Sequence, residues 1–412
     1  MGKIYKKIKK CRICNSESLV KYLDLGNTPL ANSLIEIKDK DKKELKFPLE
    51  VLYCKNCSLS QLSIVVDPKI LFSEYVYRSS ISRTFQEHCA EMAEKTAKLI
   101  DGSNNLVVDI ASNDGCLLQQ FKKNGFDVLG VEPAANIAKI ANTSGIETIC
   151  SFWSIETAKK IIEKHGKAKV ITATNVFAHV DDLHAFLNAV NMLLHDNGIF
   201  IVEVPYLGDL LAKNEFDTIY HEHLSYFLAK PLERLYSSHN LKIFRIEKHA
   251  IHGGSIRLLA SKNNSYDEKN VKEFLKSEAK QKLYELKTYQ NFESKVKNIK
   301  REILKLLLSL REKNKKIIAY GASAKGNTLL NYCGISNKYI NFIVDDTPEK
   351  QHHLAPGSRI KIVDAGYINK EKPDYVLLLA WNFAKEIMQK TKASYKKKVK
   401  YIIPIPNVRI AR

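Results

Sequence analysis

A strand, a turn and a helix in residues 105–118, followed by a second strand, constrain the fold more than any other part of the sequence. The apolar run LVVDI at 106–110 leads into the small polar turn ASNDG at 111–115. The second strand spans 126–133 and ends in Glu132 and Pro133. Such a unit is typical of the first strands of a doubly wound α/β sheet, where turn N–H groups approach a ligand closely.

The turn lacks the three glycines of the dinucleotide fingerprint, so NAD is a weak expectation. An acid at the end of the second strand typically accepts hydrogen bonds from a ribose, and Glu132 occupies that position. From these residues alone, S-adenosylmethionine (SAM) fits as well as NAD.

Later segments continue the same α/β pattern. Strands are predicted at 170–174 and 198–205, and a closing pair at 242–247 and 255–261. Asn175 and His179 follow the first of these strands. Open α/β sheets bind ligands at the carboxyl ends of their strands, which places these polar residues at the expected site. A helix is predicted over 74–100, opening at Ser82.

The segment YHEHLSYF at 220–227 concentrates two imidazoles, a carboxylate and two phenols in eight residues. Titratable groups at this density suit proton transfer next to a bound small molecule. The alternative is a surface loop that happens to be rich in histidine.

Two CxxC pairs lie near the beginning of the chain. Each pair presents two thiolates on a tight turn, and together they predict a four-sulfur zinc site. Four thiolates leave no open position for water, so the zinc is expected to be structural. The alternatives are reduced thiols or disulfides. The predicted ligands are Cys11, Cys14, Cys54 and Cys57. The other cysteines, Cys89, Cys116, Cys150 and Cys333, are interpreted as small core residues.

The last third of the chain predicts helices followed by a second α/β unit. Residues 267–316 carry Leu and Ile at helical spacing, and strands are predicted at 316–320, 339–346 and 375–381. The turn GASAKGN resembles a P-loop, but Asn327 stands where a P-loop needs lysine, which excludes NTP hydrolysis. Lys325 could add charge to a bound diphosphate. Alternatively, this unit only packs against the rest of the protein.

Composition indicates a packed globular protein, since 45% of the 412 residues are hydrophobic. No apolar run approaches the roughly 20 residues that cross a bilayer, and we expect a cytoplasmic protein with no membrane partner. The net charge of +20 is spread over the chain without a groove-reading motif, so no nucleic-acid partner is predicted. The electrostatic field of this positive charge would attract an anionic small substrate.

Taken together, these motifs resemble those of the sugar C-methyltransferases that act on nucleotide-linked 4-keto deoxysugars. The family pattern has two CxxC pairs, SNDG, a strand ending in VEP, NxxAHV, YHEHLSYF, HGGS[IL]R and YGAxxKGN, and all occur here in order. The resemblance covers nearly the whole chain. One position departs from it, because Ala111 stands where many members have glycine.

The resemblance implies a SAM-dependent enzyme with structural Zn²⁺ and a nucleotide-diphosphate sugar as substrate. It implies His223 as the base that removes the sugar proton and Glu222 as its partner. Tyr220 and His179 would bind the 4-oxo group. The choice of His223 over His221 rests on the resemblance, not on spacing. The implied SAM-binding residues are Asp109, Ala111, Asn113, Gly115, Glu132, Pro133 and Asn175, and the implied substrate-binding residues are Tyr77, His221, His252, Lys325 and Asn327.

The expected fold is a class I SAM-methyltransferase doubly wound sheet, flanked by a small N-terminal zinc module and a C-terminal Rossmann-like α/β domain. The predicted boundaries are 1–66, 67–262 and 263–412, in a monomer or a dimer. Methylation at carbon 3 is the family expectation. One alternative is a sugar O- or N-methyltransferase, and a remote one is a zinc-ribbon protein that binds nucleic acid.

Overall fold

The computed structural model describes residues 4–72, 79–100, 105–395 and 399–411. Three large sheets organise these residues, and two small two-stranded sheets join segments that are distant along the chain. Helices cover the two larger sheets.

The amino-terminal part is built of short antiparallel strands. A four-stranded sheet has the order β12-β5-β4-β2, and β1 pairs with β6. The elements here are β1 Tyr5–Lys7, β2 Leu19–Thr28, β3 Ile35–Glu36, β4 Phe47–Cys54, β5 Ser60–Leu62, β6 Ile64–Val66 and α1 Pro68–Phe72.

The central part forms a seven-stranded sheet of order β13-β14-β11-β10-β7-β8-β9. The elements are α2 Arg83–Ala97, β7 Leu106–Ile110, α3 Cys116–Lys123, β8 Asp127–Val131, α4 Ala135–Thr143, β9 Thr148–Ile149, α5 Ile155–His165, β10 Ala168–Thr174, α6 Leu183–Leu193, β11 Leu194–Pro205, α7 Leu207–Ala212, β12 Ser225–Tyr226, α8 Ala229–Ser237, β13 Lys242–His249 and β14 Ser255–Ser261.

Five strands of this sheet, β7 to β11, run parallel, and β14 lies antiparallel between β11 and β13. This is the class I methyltransferase topology that the sequence predicts. Every residue of β7 is buried, because helices cover both faces of a doubly wound sheet. The order reverses between β7 and β10, so a crevice opens beside their carboxyl ends.

The carboxy-terminal part has two long helices and a six-stranded sheet of order β18-β16-β15-β19-β20-β21, parallel except for β21. This agrees with the predicted Rossmann-like unit. Its elements are α9 Lys269–Lys280, α10 Leu286–Glu312, β15 Ile317–Tyr320, α11 Ala324–Cys333, β16 Ile343–Val344, β17 His353–Leu354, β18 Ile362–Val363, α12 Tyr367–Glu371, β19 Tyr375–Leu378, α13 Ala384–Ser394, β20 Lys400–Ile403 and β21 Arg409–Ala411.

Three sequence expectations need correction. Within the described part of the helix predicted over 74–100, the helix begins at Arg83, with Ser82 as its N-cap, and ends at Ala97, whereas residues 74–78 lie outside the described residues. The strand predicted at 339–346 keeps only two residues, because the N–H groups of Tyr339 and Ile340 turn back to Ser336. Cys150 is exposed and is no core residue.

Candidate functional site

The four predicted metal ligands converge at one point of the amino-terminal part. The Sγ atoms of Cys11 and Cys57 are 3.5 Å apart, as are those of Cys14 and Cys54. All four sulfurs lie within 4.8 Å of one another. A tetrahedral zinc with Zn–S bonds of about 2.3 Å places its sulfurs about 3.8 Å apart. The cluster therefore fits a structural Zn²⁺ with four thiolate ligands.

The sheet beside this centre holds the histidine-rich segment. Strand β12, directly after Leu224, pairs antiparallel with β5, so that Ser225 faces Gln61. The Leu62 N–H also donates to the Leu224 carbonyl at 3.0 Å. The two CxxC turns and the segment 220–224 therefore share one hydrogen-bonded framework.

The predicted cofactor turn follows β7 and has an unusual backbone. Ala111, Asn113 and Gly115 all have left-handed φ angles, of 56°, 51° and 79°, and Asn175 after β10 has 56°. Asn and Gly tolerate this conformation, which explains the residue types of the SNDG turn. Ala111 adopts it at a cost of roughly 1 kcal/mol, at the position where the family often has glycine.

Two buried carboxylates line the same turn. Glu132, at the end of β8, accepts hydrogen bonds from the N–H groups of Asn113 at 3.0 Å and Ala134 at 2.8 Å. Asp109 accepts one from Thr172 Oγ1 at 2.6 Å. Burial raises the pKa of Glu132 and raises that of Asp109 to about 7. Each carboxylate keeps acceptor capacity for a ribose hydroxyl or an ammonium group. The residues present therefore fit SAM.

His223 is buried, and a backbone carbonyl fixes its ring. Its Nδ1 lies 2.8 Å from the oxygen of Thr218. A carbonyl only accepts, so Nδ1 carries the proton, and the lone pair of the neutral ring lies on Nε2. The Tyr220 ring packs on it with centroids 4.1 Å apart.

His179 is held by backbone carbonyls, those of Glu222 and Asn175. Its Nδ1 donates to the backbone carbonyl of Glu222 at 2.7 Å, and its ring centroid is 5.0 Å from that of His223. Burial lowers the pKa of His179 and therefore favours the neutral imidazole at neutral pH. The structure thus brings together two imidazole rings and the Tyr220 phenol.

Glu222 is also buried, and its Oε1 accepts a hydrogen bond from Asn32 Nδ2 at 2.7 Å. Burial raises its pKa to about 7. The sequence analysis missed Asn32, which lies 190 positions away along the chain. Among the described residues, Asn32, and not His223, is the side chain that hydrogen-bonds to the Glu222 carboxylate. The pairing of Glu222 with His223 that the resemblance implies stays a prediction.

His221 and Asn327 meet at a small cavity between the three parts of the chain. Its walls include Thr28 and Ala31 from the amino-terminal part and Tyr220 from the histidine-rich segment. His221 Nε2 donates to the Pro48 carbonyl at 3.2 Å, and burial lowers its pKa to about 4. Among the described residues, His221 Nδ1 and Asn327 Oδ1 are buried without a hydrogen-bond partner.

Lys325 lies near two acids at the junction with the carboxy-terminal part. Its charge lowers the pKa values of Glu215 and Asp217, although burial is the larger effect and raises them to about 7 and 6. Its Nζ also lies over the Trp381 ring, 5.4 Å from the centroid. Lys325 thus lies near two acidic side chains and one aromatic ring of the protein itself. Tyr77 and the His252 side chain lie outside the described residues.

A buried ionic network that the sequence analysis missed lies across β11, β14 and α2. Both carboxylate oxygens of Glu203 are 2.8 Å from His88 Nε2, and Arg257 Nε donates to Glu203 at 3.0 Å. Arg257 was visible in the HGGSIR motif, but its partners come from distant segments. The network fixes α2 against the sheet.

Comparison with known proteins agrees with this geometry. Three family models match consecutive parts of the chain. They are described as "Putative zinc binding domain" over 11–72, "Methyltransferase domain" over 82–246 and "C-methyltransferase C-terminal domain" over 250–406. Among the described residues, no helix is long and apolar enough to span a membrane.

The C-methyltransferase NovU of Streptomyces niveus is 37% identical and covers 100% of this chain and 98% of its own length. An O-methyltransferase of ubiquinone biosynthesis from Bartonella tribocorum is 25% identical over 28% of this chain and 47% of its own. The Synechocystis magnesium protoporphyrin IX methyltransferase structure has a TM-score of 0.35 and 11% identity, and covers 47% of this chain and 92% of its own. On the full-length identity, the chain belongs to the family of SAM-dependent C-methyltransferases.

Proposed function

We propose that the enzyme methylates a carbon next to the ketone of a nucleotide-linked 4-keto deoxysugar, with carbon 3 as the expected position. The observation that carries the proposal is the His223 ring, whose Nδ1 donates to the Thr218 carbonyl and so leaves the lone pair of the neutral ring on Nε2. Carbon methylation requires the removal of a C–H proton, and this nitrogen supplies the base.

In this mechanism His223 is the base. The 4-oxo group acidifies the hydrogen on the neighbouring sugar carbon, and His223 Nε2 takes that proton. The C–H electrons move into the ring as an enolate, with negative charge on the former ketone oxygen. The Nδ1 bond to Thr218 stabilises the protonated imidazole, because the carbonyl dipole points at the cation.

The enolate oxygen needs hydrogen-bond donors in a site with little water. Tyr220 supplies one donor in the proposal, and Glu222 adds a carboxyl that is neutral below about pH 7. His179 can add a donor from Nε2 only in its doubly protonated form, because its Nδ1 proton is already donated to the Glu222 carbonyl. Two donors on one oxygen would favour the enolate over the starting ketone.

SAM, when bound, would supply an electrophilic sulfonium methyl group to the enolate carbon, with a neutral thioether as the leaving group. Glu132 and Asp109 would hold its polar groups beside the left-handed turn. The protein contributes position and the exclusion of water.

The remaining assignments complete the proposal. The carboxy-terminal residues 263–412 hold the nucleotide diphosphate, with Lys325 and Asn327 on the substrate side. Residues 1–66 form the zinc module and residues 67–262 the methyltransferase domain. All eight cysteines are free, which suits a reducing compartment, so we place the reaction in the cytoplasm.

The test is to incubate the zinc-loaded protein with SAM and a dTDP- or GDP-linked 4-keto deoxysugar, and to locate any added methyl group by NMR. A new C–CH₃ group next to the ketone supports the proposal. A methyl group found on oxygen or nitrogen would replace it with the O- or N-methyltransferase alternative. If SAM binds and no sugar is methylated, the substrate assignment is wrong.

A further inference from the structure

One contact joins the zinc module to the carboxylate at the centre of the proposed site. Asn32 lies in the loop between β2 and β3, and its Nδ2 is 2.7 Å from Glu222 Oε1. Glu222 is only 6% exposed. Among the described residues, its carboxylate has no other hydrogen-bond partner. The amide is thus the main restraint on this side chain.

The backbone around Asn32 is itself held in place. The carbonyl of Ala31, the preceding residue, accepts a hydrogen bond from Asn327 Nδ2 at 2.8 Å, and Asn327 is buried. Asn327 lies on α11 of the carboxy-terminal part. The loop that carries Asn32 is therefore fixed between two other parts of the chain, so the amide arrives at Glu222 in a defined orientation.

The direction of the hydrogen bond determines the chemistry of the carboxyl group. An amide N–H donates, so Oε1 must accept, and a proton on a neutral Glu222 lies on Oε2. The backbone carbonyl of Glu222 also accepts a hydrogen bond from His179 Nδ1. One residue thus connects Asn32 to the His179 ring.

We propose that Asn32 is a positioning residue of the active site: it orients the Glu222 carboxyl so that Oε2 serves the reacting sugar oxygen. The zinc module then completes the catalytic centre and does more than cover it. This inference rests on the proposed function. Asn32 acts through Glu222 and need not touch the substrate itself.

A double-mutant cycle separates this role from simple docking of the module. The variants are Asn32→Ala, Glu222→Gln and the double variant, with Ser33→Ala as a matched control on the adjacent exposed residue. For each zinc-loaded protein we would measure kcat for sugar methylation, Kd for SAM, zinc content and the free energy of unfolding.

The expected result is a kcat about tenfold lower for Asn32→Ala, as for the loss of one aligned hydrogen bond, with unchanged SAM affinity and zinc content. In the Glu222→Gln background, Asn32→Ala should change kcat by less than about twofold, because interacting residues are not additive. Ser33→Ala should match the wild type. An Asn32→Ala effect of equal size in both backgrounds, or none in either, would overturn the proposal.

Failure of the proposed function gives a different outcome. In that case the wild type itself does not methylate the sugar, and the wild type, the two single variants and the double variant are compared through their free energies of unfolding. Strictly additive effects of Asn32→Ala and Glu222→Gln on unfolding would then show that the two side chains do not interact, which would overturn this inference as well. Non-additive effects would support the contact.

Discussion

The guanidinium of Arg12 donates a hydrogen bond to the backbone carbonyl of Leu224, with Nη1 3.1 Å from the oxygen. Arg12 stands between two zinc ligands, and Leu224 directly follows His223. The arginine is buried, and its Nε is 3.5 Å from Asp181 on the central part. A residue of the zinc turn therefore supports the backbone that carries the proposed base.

Loss of the zinc should consequently abolish activity and not merely loosen the amino terminus. We expect Cys54→Ser to lose zinc and to lower methyl transfer by at least about 10²-fold, because displacements near 1 Å in a catalytic site have effects of that size. Metal analysis and a methyl-transfer assay check this. Cys150→Ser, at an exposed cysteine, is the control and should keep both zinc and activity. Full activity in zinc-free protein would contradict the account.

Glu132 should dominate binding of the methyl donor. Its carboxylate shapes the turn through the N–H groups of Asn113 and Ala134 and has capacity left for ribose hydroxyls. Hydrogen bonds to charged groups contribute about 1.5–3 kcal/mol, so Glu132→Gln should weaken SAM binding by about 10- to 100-fold in calorimetry. Glu147→Gln, at an exposed acid on a neighbouring loop, should bind like the wild type. An unchanged Kd for Glu132→Gln would show that the Glu132 carboxylate does not contribute to SAM binding.

The pair of Glu203 and Arg257 should be a major determinant of stability. Arg257 is 2% exposed and Glu203 fully buried, so Arg257→Met leaves an uncompensated buried carboxylate beside His88. Removal of one partner of such a pair costs about 3–5 kcal/mol. Denaturant unfolding should show this loss, whereas Arg245→Met, at a half-exposed arginine, should change little. Recovery in the Glu203→Gln, Arg257→Met double variant would confirm the cause.

Glu222 should make stability depend on pH. Burial raises its pKa to about 7, above the unfolded value of about 4.3. Between these pH values the folded state binds more protons than the unfolded state. The contribution of Glu222 to the free energy of unfolding therefore falls as pH rises. The difference between Glu222→Gln and wild type should grow by about 2–4 kcal/mol from pH 4.5 to pH 8.

The control for that measurement is Glu163→Gln, at an exposed acid on α5, which should follow the wild-type curve throughout. Parallel curves for Glu222→Gln and wild type would show that Glu222 does not carry this pH dependence, and the neutral carboxyl assigned to the proposed mechanism would lose its support.

The sequence predicted the elements that depend on local patterns. The N-cap at Ser82, the strand Ser255–Ser261 and the four cysteine ligands all follow from short-range residue types. It failed where residues 336–340 use their N–H groups in a turn, because apolar content alone does not show whether a segment pairs.

The contacts that organise the candidate site could not be predicted from the sequence, for a different reason. The pairing of β12 with β5 and the bond from Asn32 to Glu222 join segments more than a hundred residues apart. Neither has a spacing signature in one sequence. The SNDG turn was recognisable because its left-handed backbone requires particular residues, whereas Asn32 had no such local requirement.

The most direct test of the proposed chemistry is proton exchange in deuterated water without SAM. The zinc-loaded protein is incubated with a dTDP- or GDP-linked 4-keto deoxysugar, and deuterium incorporation is followed by mass spectrometry and NMR. Wild type and His223→Asn are compared, since asparagine can keep the donor to the Thr218 carbonyl but removes the basic Nε2. We expect deuterium on the carbon next to the ketone, with exchange about 10²- to 10⁴-fold slower in the variant. Exchange at the wild-type rate in His223→Asn would contradict the assignment of His223 as the base. If the enzyme methylates the carbon but neither catalyses exchange nor depends on His223, the proposed mechanism is wrong.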